Sequence, residues 1–126
     1  MLKTIATEKA PAAVGPYSQA IKAGGFIYVS GQLPLIPGEG VLIKDDIKKA
    51  TKQSLENAKA ILEEAGASFN DVVKVTVYLD DIAQFADMNS VYSEYFVDHK
   101  PARAAFEVAK LPLGADVEIE MIAYVG

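Results

Sequence analysis

The chain has 126 residues, of which 51% are hydrophobic, and it carries no cysteine and a formal net charge of −5. This length fits one domain over residues 1–126 with enough apolar side chains for a core, and the lack of cysteine excludes disulfides, thiolate metal sites and thiol nucleophiles. The acidic balance argues against a general nucleic-acid binder, and with neither a basic-then-apolar leader nor an apolar run of membrane-spanning length we expect a cytoplasmic protein without a membrane partner.

The first third of the chain predicts short β-strands. Residues 2–6, 20–23 and 26–30 read as strand-like runs, and the Gly24-Gly25 pair between the last two is typical of a hairpin. A connection rich in proline and alanine separates the first two runs. An irregular excursion rich in proline and glycine follows the third.

Two amphipathic helices are predicted in the middle of the chain. Asp46 is a good N-cap for the first helix, in which apolar residues recur at three- and four-residue steps until Gly66 supplies a stop. Asp80 or Asp81 can cap the second helix, which runs to about Phe96.

Three further strands are predicted around the second helix. Residues 72–80 alternate, with an apolar side formed by Val73, Val75, Val77 and Leu79. After the break at Lys100-Pro101, one strand runs through Val108 and a last strand covers residues 117–125. Glu118 and Glu120 lie on the less apolar side of that last strand.

This order of elements predicts an α/β (α+β) sandwich, with one mostly antiparallel mixed sheet and two helices on one face. We expect the other face to carry a half-apolar, half-charged set: Thr76, Tyr78, Arg103, Ala105, Glu118, Glu120, Ile122 and Tyr124. Such a face is too apolar to leave in water and too charged for a sealed core. It therefore predicts oligomerisation, with charged residues gathered in clefts between subunits.

Arg103 is the only arginine in the chain. A guanidinium group grips a carboxylate or phosphate with two parallel hydrogen bonds, which lysine cannot copy. If the last two strands pair antiparallel, Arg103, Glu118 and Glu120 share one face. Two interpretations follow: a carboxylate-binding arginine with a glutamate that positions or deprotonates water, or a structural Arg–Glu bridge across the sheet. Glu120 fits the structural bridge better.

Four other polar residues attract attention. Tyr17 and Ser30 sit at turns, where a side chain can face a cleft, although most such residues are simple turn residues. Asn89 lies inside the second helix, where asparagine is a mediocre helix former. His99, the single histidine, is expected to be solvated, and with no cysteine a transition-metal site is not predicted.

Several segments resemble one family over nearly the whole chain. They are residues 10–19 (APAAVGPYSQ), Ser30-Gly31-Gln32, Lys100-Pro101-Ala102-Arg103 and residues 117–120 (VEIE). In this register the chain resembles the Rid family of YjgF-type reactive intermediate deaminases, and most closely its RidA branch.

The resemblance implies a chorismate-mutase-like fold that assembles as a homotrimer with three clefts between subunits. It also implies hydrolysis of 2-imino acids such as 2-iminobutanoate and 2-iminopropanoate, and of their enamine tautomers, to 2-keto acids and ammonia, without a cofactor.

The resemblance further implies a role for each matching residue. Arg103 would bind the substrate carboxylate, and Glu118 would hold or activate the attacking water. The pocket lining implied by the resemblance is Tyr17, Ser30, Gly31, Asn89 and the main chain of Ala105. Many relatives carry cysteine at the position of Ala105, so a thiol-based switch is excluded here.

Two other functions remain open at this level. Some members of the family have been described as translation inhibitors that cut messenger RNA, so an endoribonuclease is one alternative. A non-enzymatic ligand sensor or holdase that uses the same clefts or the same apolar surface is the other.

Overall fold

The computed structural model describes residues 1–126, with eight β-strands and two α-helices. The first five strands are β1 (Leu2–Ile5), β2 (Ala20–Ala23), β3 (Phe26–Gln32), β4 (Leu35–Ile36) and β5 (Val41–Leu42). The remaining elements are α1 (Ile47–Glu64), β6 (Val72–Leu79), α2 (Phe85–Tyr95), β7 (Ala102–Glu107) and β8 (Val117–Tyr124). Each predicted element is therefore present, with ends that differ by a few residues.

The residues predicted to begin and end the helices have the predicted roles in the structure. The side chain of Asp46 accepts a hydrogen bond of 3.1 Å from the backbone N–H of Lys49 and so caps α1. Gly66 follows the helix with φ 84, a conformation that glycine adopts without steric cost. Asp81 caps a short 3-10 turn (Ile82–Gln84) that leads into α2.

The main sheet has six strands in the order β1-β2-β3-β8-β6-β7. All neighbours are antiparallel except β6 and β7, which are parallel because α2 carries the chain back to the same end of the sheet. The antiparallel pairing of the last two strands, on which a shared face for Arg103 and Glu118 depended, does not occur, since β6 lies between β7 and β8. The two short strands β4 and β5 form a separate hairpin.

Both helices pack on one face of this sheet, which confirms the predicted sandwich. The largest fully buried side chains come from the helices and from the covered side of the sheet, and include Leu55, Ile61, Val75, Val77, Met88, Ile119 and Met121. None of the helices has the length and apolar composition needed to cross a membrane.

The alternation of β6 is interrupted near its start. A register shift lies between Val72 and Lys74 relative to β8, so Val72 is fully buried whereas Val73 is 42% exposed. The prediction that Val73 belongs to the apolar side is therefore wrong. An extra residue at a bulge inverts the inward and outward positions before it.

The face occupied by Arg103 and Ala105 is also wrongly predicted. These residues lie opposite Val75 and Val77 of β6, which are buried under the helices. Residues that are opposite each other in neighbouring strands point to the same face. Arg103 and Ala105 therefore lie on the helix side, at the edge of the sheet.

The uncovered face keeps the other predicted residues and gains aromatic ones. Phe106 replaces Arg103 and Ala105 there, with its ring 5.4 Å from that of Tyr78. The aromatic side chains Phe26, Tyr28, Phe106 and Tyr124 on this face are 42–47% exposed. The sheet thus presents a large apolar area that nothing in the chain covers.

Candidate functional site

The residues predicted to form one site lie in two separate groups. Arg103, Asn89 and Ala105 lie on the helix side of the sheet, at the β7 edge. The second group lines a cavity of about 620 Å³ and consists of Tyr17, Ser30, Gly31 and Glu118. We call the first group the arginine site and this cavity the glutamate cleft.

In the arginine site, three side chains hold the guanidinium group of Arg103. Its Nη1 donates a hydrogen bond of 2.6 Å to Oδ1 of Asn89. Its Cζ lies 4.7 Å from the ring centroid of Tyr92 and 5.4 Å from that of Phe85. These contacts are cation–π interactions that orient the planar group and leave the remaining N–H donors exposed.

No carboxylate of the chain pairs with Arg103. The single ion pair of the protein joins Lys44 Nζ to Asp116 Oδ1 at 2.5 Å and does not involve the arginine. The structural Arg–Glu bridge is therefore absent within the chain, and the bond to Asn89 replaces it. An exposed, oriented and unpaired guanidinium group is suited to bind the carboxylate of a ligand.

In the glutamate cleft, Glu118 is packed closely against the backbone of Gly31. A Cβ atom added at Gly31 would lie 2.8 Å from both Cδ and Oε2 of Glu118. The register of β3 against β8 shifts between Val29 and Gln32, and this irregularity contains Gly31. A residue without a side chain is required at this position for Glu118 to keep its place.

Burial is the main cause that raises the pKa of Glu118, and the negative charge of Glu120 raises it further. Glu120 lines the same cavity and is the next residue of β8 on that face. It accepts a hydrogen bond from the hydroxyl of Tyr78, and this bond is the largest of the causes that raise the pKa of Tyr78 to about 12. Sequence reasoning placed Tyr78 on this face but gave it no role.

Ser30 and Tyr17 reach the cleft from adjacent segments. The Oγ of Ser30 donates a hydrogen bond of 2.6 Å to the carbonyl oxygen of Ser18, and its backbone N–H donates to the carbonyl of Gln19 at 2.9 Å. Tyr17 is 53% exposed. Its ring is therefore available to a ligand in the cleft.

The N-terminal segment that carries Tyr17 is fixed by Gln19, which sequence reasoning missed. This side chain is only 4% exposed and bonds to main-chain groups of Thr7, Ala10 and Pro11. Gln19 ends the segment of residues 10–19 that carries the family resemblance, but the groups to which it bonds are visible only in the structure. Its four contacts satisfy a buried amide, as burial requires.

His99 is not simply solvated as expected. Its Nε2 lies 2.6 Å from the carbonyl oxygen of Val72, and its side chain is partly buried. It thus connects the segment before β7 to the start of β6. It lies outside both groups of candidate residues.

Comparisons with known proteins agree with the motifs. The model of the Endoribonuclease L-PSP family matches residues 7–125. The RutC family protein of Pyrococcus abyssi is 62% identical over 122 residues, covering 97% of this chain and 96% of that protein. The 2-iminobutanoate/2-iminopropanoate deaminase of Mus musculus is 50% identical over 124 residues, covering 98% and 92%.

A solved structure extends the likeness to the fold. The YjgF gene product from E. coli matches with a TM-score of 0.93 at 46% sequence identity, covering 98% of this chain and 99% of that one. The agreement extends over the elements that carry Arg103 and Glu118. The chain therefore belongs to the Endoribonuclease L-PSP family, which is the YjgF/Rid family that its motifs resemble.

Proposed function

We propose that this protein hydrolyses 2-imino acids and their enamine tautomers, with 2-iminobutanoate and 2-iminopropanoate as substrates, to 2-keto acids and ammonia. The observation that carries the proposal is the pair of complementary groups: an unpaired, oriented Arg103 and a partly buried Glu118 beside a cavity. The relatives that bear the deaminase name, at 47–51% identity, support the same activity.

The reaction requires both groups on one small substrate, and one chain separates them on opposite sides of its sheet. We infer that the site forms between subunits, where Arg103 of one copy reaches the glutamate cleft of the next. The exposed aromatic side chains of the uncovered face support such packing. A contact between two different surfaces forms a ring when its rotation closes, and the family resemblance implies a ring of three copies, a homotrimer.

In this assembly Arg103 binds the substrate and Glu118 acts on the attacking water. Arg103 holds the substrate carboxylate through two parallel hydrogen bonds, and Asn89 fixes the direction of the guanidinium group. Glu118 orients a water molecule toward C2 of the imine and accepts its proton. Because an imine already hydrolyses in water, positioning of the reactants supplies most of the acceleration that is needed.

The remaining predicted residues line the assembled site. Tyr17, Ser30 and Gly31 belong to the same cavity as Glu118. Ala105 lies on β7, which pairs with a neighbour on one side only, so main-chain groups along the free side of this strand are open to a ligand. This arrangement fits a role of Ala105 through its backbone and does not need a thiol.

The deciding experiment measures release of 2-keto acid. 2-Iminobutanoate is generated in situ from the amino acid by an oxidase, with semicarbazide as a competing trap for the imine. We expect the protein to increase free keto acid and decrease the semicarbazone. Equal amounts with and without the protein would exclude the deaminase activity.

The name of the Endoribonuclease L-PSP family also raises the endoribonuclease alternative. Glu118 and Glu120 line the same cleft, and two carboxyl groups disfavour binding of a phosphate backbone there. The deaminase is therefore the better fit to the site. Salt-dependent binding and cleavage of RNA by metal-free recombinant protein would instead favour the nuclease.

A further inference from the structure

Four polar residues form a cluster on the uncovered face of the sheet. Tyr78 of β6 lies opposite Glu118 of β8, and Thr76 lies opposite Glu120. Consecutive residues on one face of a strand are about 7 Å apart. Glu118 and Glu120 thus face the same cavity at a distance where their charges interact.

The two carboxyl groups have different surroundings. The hydroxyl of Tyr78 donates a hydrogen bond to Oε1 of Glu120, and such a bond favours the ionised form of the carboxyl group that accepts it. The high pKa of Tyr78, about 12, keeps its hydroxyl protonated and able to donate near neutral pH. Glu120 is therefore the member of the pair whose carboxyl group is held by a hydrogen-bond donor of the chain.

Glu118 is in the opposite situation. No protein hydrogen bond offsets its burial, and its side chain lies against the backbone of Gly31. Burial and the neighbouring charge of Glu120 both disfavour its ionised form, so both raise its pKa. A proton on Glu118 is therefore favoured by the carboxyl group that lies next to it on the same face of β8.

We propose that Tyr78 and Glu120 are positioning residues for Glu118: Tyr78 holds the carboxyl group of Glu120 next to Glu118, and the negative charge of Glu120 makes Glu118 the group that holds and donates a proton. The inference rests on the proposed deaminase function and deepens it, because it gives Glu118 an acid role as well as a base role. It also gives Glu120 a task other than a structural bridge.

The proton balance of the enamine reaction follows. Protonated Glu118 donates its proton to C3 of the enamine, which becomes an iminium ion. The resulting carboxylate takes a proton from water as the water oxygen bonds to C2, which forms a neutral carbinolamine. Glu118 then protonates the amino nitrogen, the C2–N bond breaks with its electron pair leaving on ammonia, and the hydroxyl proton returns to Glu118 as the carbonyl forms.

Other titratable groups face this cluster from the neighbouring elements. Tyr17 lines the glutamate cleft, and Tyr28 and Lys74 line a smaller cavity beside Glu120. In the proposed assembly, Arg103 from another copy adds a positive charge, which the substrate carboxylate neutralises. Lys74 is exposed and its charge is therefore screened by solvent.

The test compares this pair with a matched pair elsewhere in the chain. Tyr95 donates a hydrogen bond of 2.6 Å to Oε2 of Glu56, between α1 and the end of α2, and neither residue lines the glutamate cleft. Glu120→Gln is the test variant and Glu56→Gln is the control. The side-chain carboxyl carbon of Glu118 is followed by ¹³C NMR over a pH titration, and the pH dependence of keto acid release is measured in parallel.

We expect Glu120→Gln to move the Glu118 titration to lower pH, because a negative charge that opposes ionisation is gone. In the Glu120→Gln variant, the deaminase activity on the alkaline side of the pH profile should fall about threefold relative to the activity at the plateau. This is the effect expected from the loss of one charge at about 7 Å in a water-like medium. The control Glu56→Gln should change neither the Glu118 titration nor the pH profile of deaminase activity. Tyr78→Phe, which leaves the carboxyl group of Glu120 without the donor that holds it, should also move the Glu118 titration to lower pH, by less than Glu120→Gln does.

Two results would overturn the inference. The first is a Glu118 titration that is the same in wild type and in Glu120→Gln, whatever the activity assay gives. The second is a titration that moves while the activity profile stays fixed, which would show that the proton on Glu118 is not used. A wild-type protein that releases no keto acid would instead remove the proposed function itself, so the two failures are distinguishable.

Discussion

The backbone of Gly31 and the carboxyl group of Glu118 occupy adjoining space, and a Cβ atom on Gly31 would lie 2.8 Å from Glu118 Cδ. Real Cβ atoms do not approach that closely, so any other residue at position 31 must displace Glu118. The backbone of Gly31 does not have a positive φ, and alanine is therefore compatible with its conformation. The contact itself is the reason for glycine at this position.

Gly31→Ala is therefore expected to displace Glu118 and to lower kcat at least about tenfold, while the protein stays folded. Gly25→Ala is the matched control, because its Cβ atom would lie 2.7 Å from Tyr124 at the other end of β3. Keto acid release and circular dichroism check both variants. Equal losses of activity in the two variants would indicate general damage to the strand.

Arg103→Lys keeps the positive charge but loses the planar fork and its stacking on Tyr92. We expect kcat/KM for 2-imino acids to fall at least about tenfold, or about 1.4 kcal/mol. The midpoint of thermal unfolding should change little, since Arg103 is exposed. Wild-type activity in this variant would mean that the guanidinium group is structural.

Glu118→Gln should lower kcat strongly, because its contribution is made largely in the transition state. Binding of a 2-keto acid product analogue, measured by calorimetry, should survive because Arg103 still holds the carboxylate. Glu120→Gln should leave the plateau kcat within a few-fold of wild type. If Glu118→Gln kept the wild-type kcat and Glu120→Gln were inactive, the catalytic carboxyl group would be that of Glu120, two residues later on β8.

A homotrimer should have the mass of three 13.5-kDa chains in light scattering at micromolar concentration. A stable monomer would contradict the assembly and the proposed sites between subunits. The aromatic side chains of the uncovered face should become protected from solvent in the assembly.

Mixing two variants of low activity tests whether the site lies between subunits or within one chain. Arg103→Lys and Glu118→Gln chains, unfolded together and refolded in equal amounts, should recover up to about a quarter of wild-type activity, because random closed assembly restores both residues in that share of intersubunit sites. Each variant refolded alone is the control. No recovery from a mixture that forms trimers would show that both residues act from the same chain.

The sequence by itself determined most of the local structure. Asp46 and Gly66 mark the ends of α1 because their side-chain chemistry and backbone freedom act locally. The alternation of β8 placed Glu118 and Glu120 on the uncovered face, since side chains alternate along any strand. The family motifs identified the same candidate residues without any contact being known.

Only the tertiary structure decided how these residues are combined. Alternation relates a residue to its own strand, and the pairing partner then decides which face of the sheet it shares. The chain crosses over through α2 and pairs β7 with β6, so Arg103 lies beside α2 at the edge of the sheet. A pairing of β7 with β8 would have placed it beside Glu118. The contact of Gly31 with Glu118 and the bond of Tyr78 to Glu120 likewise join residues distant in the chain, and no local pattern encodes them.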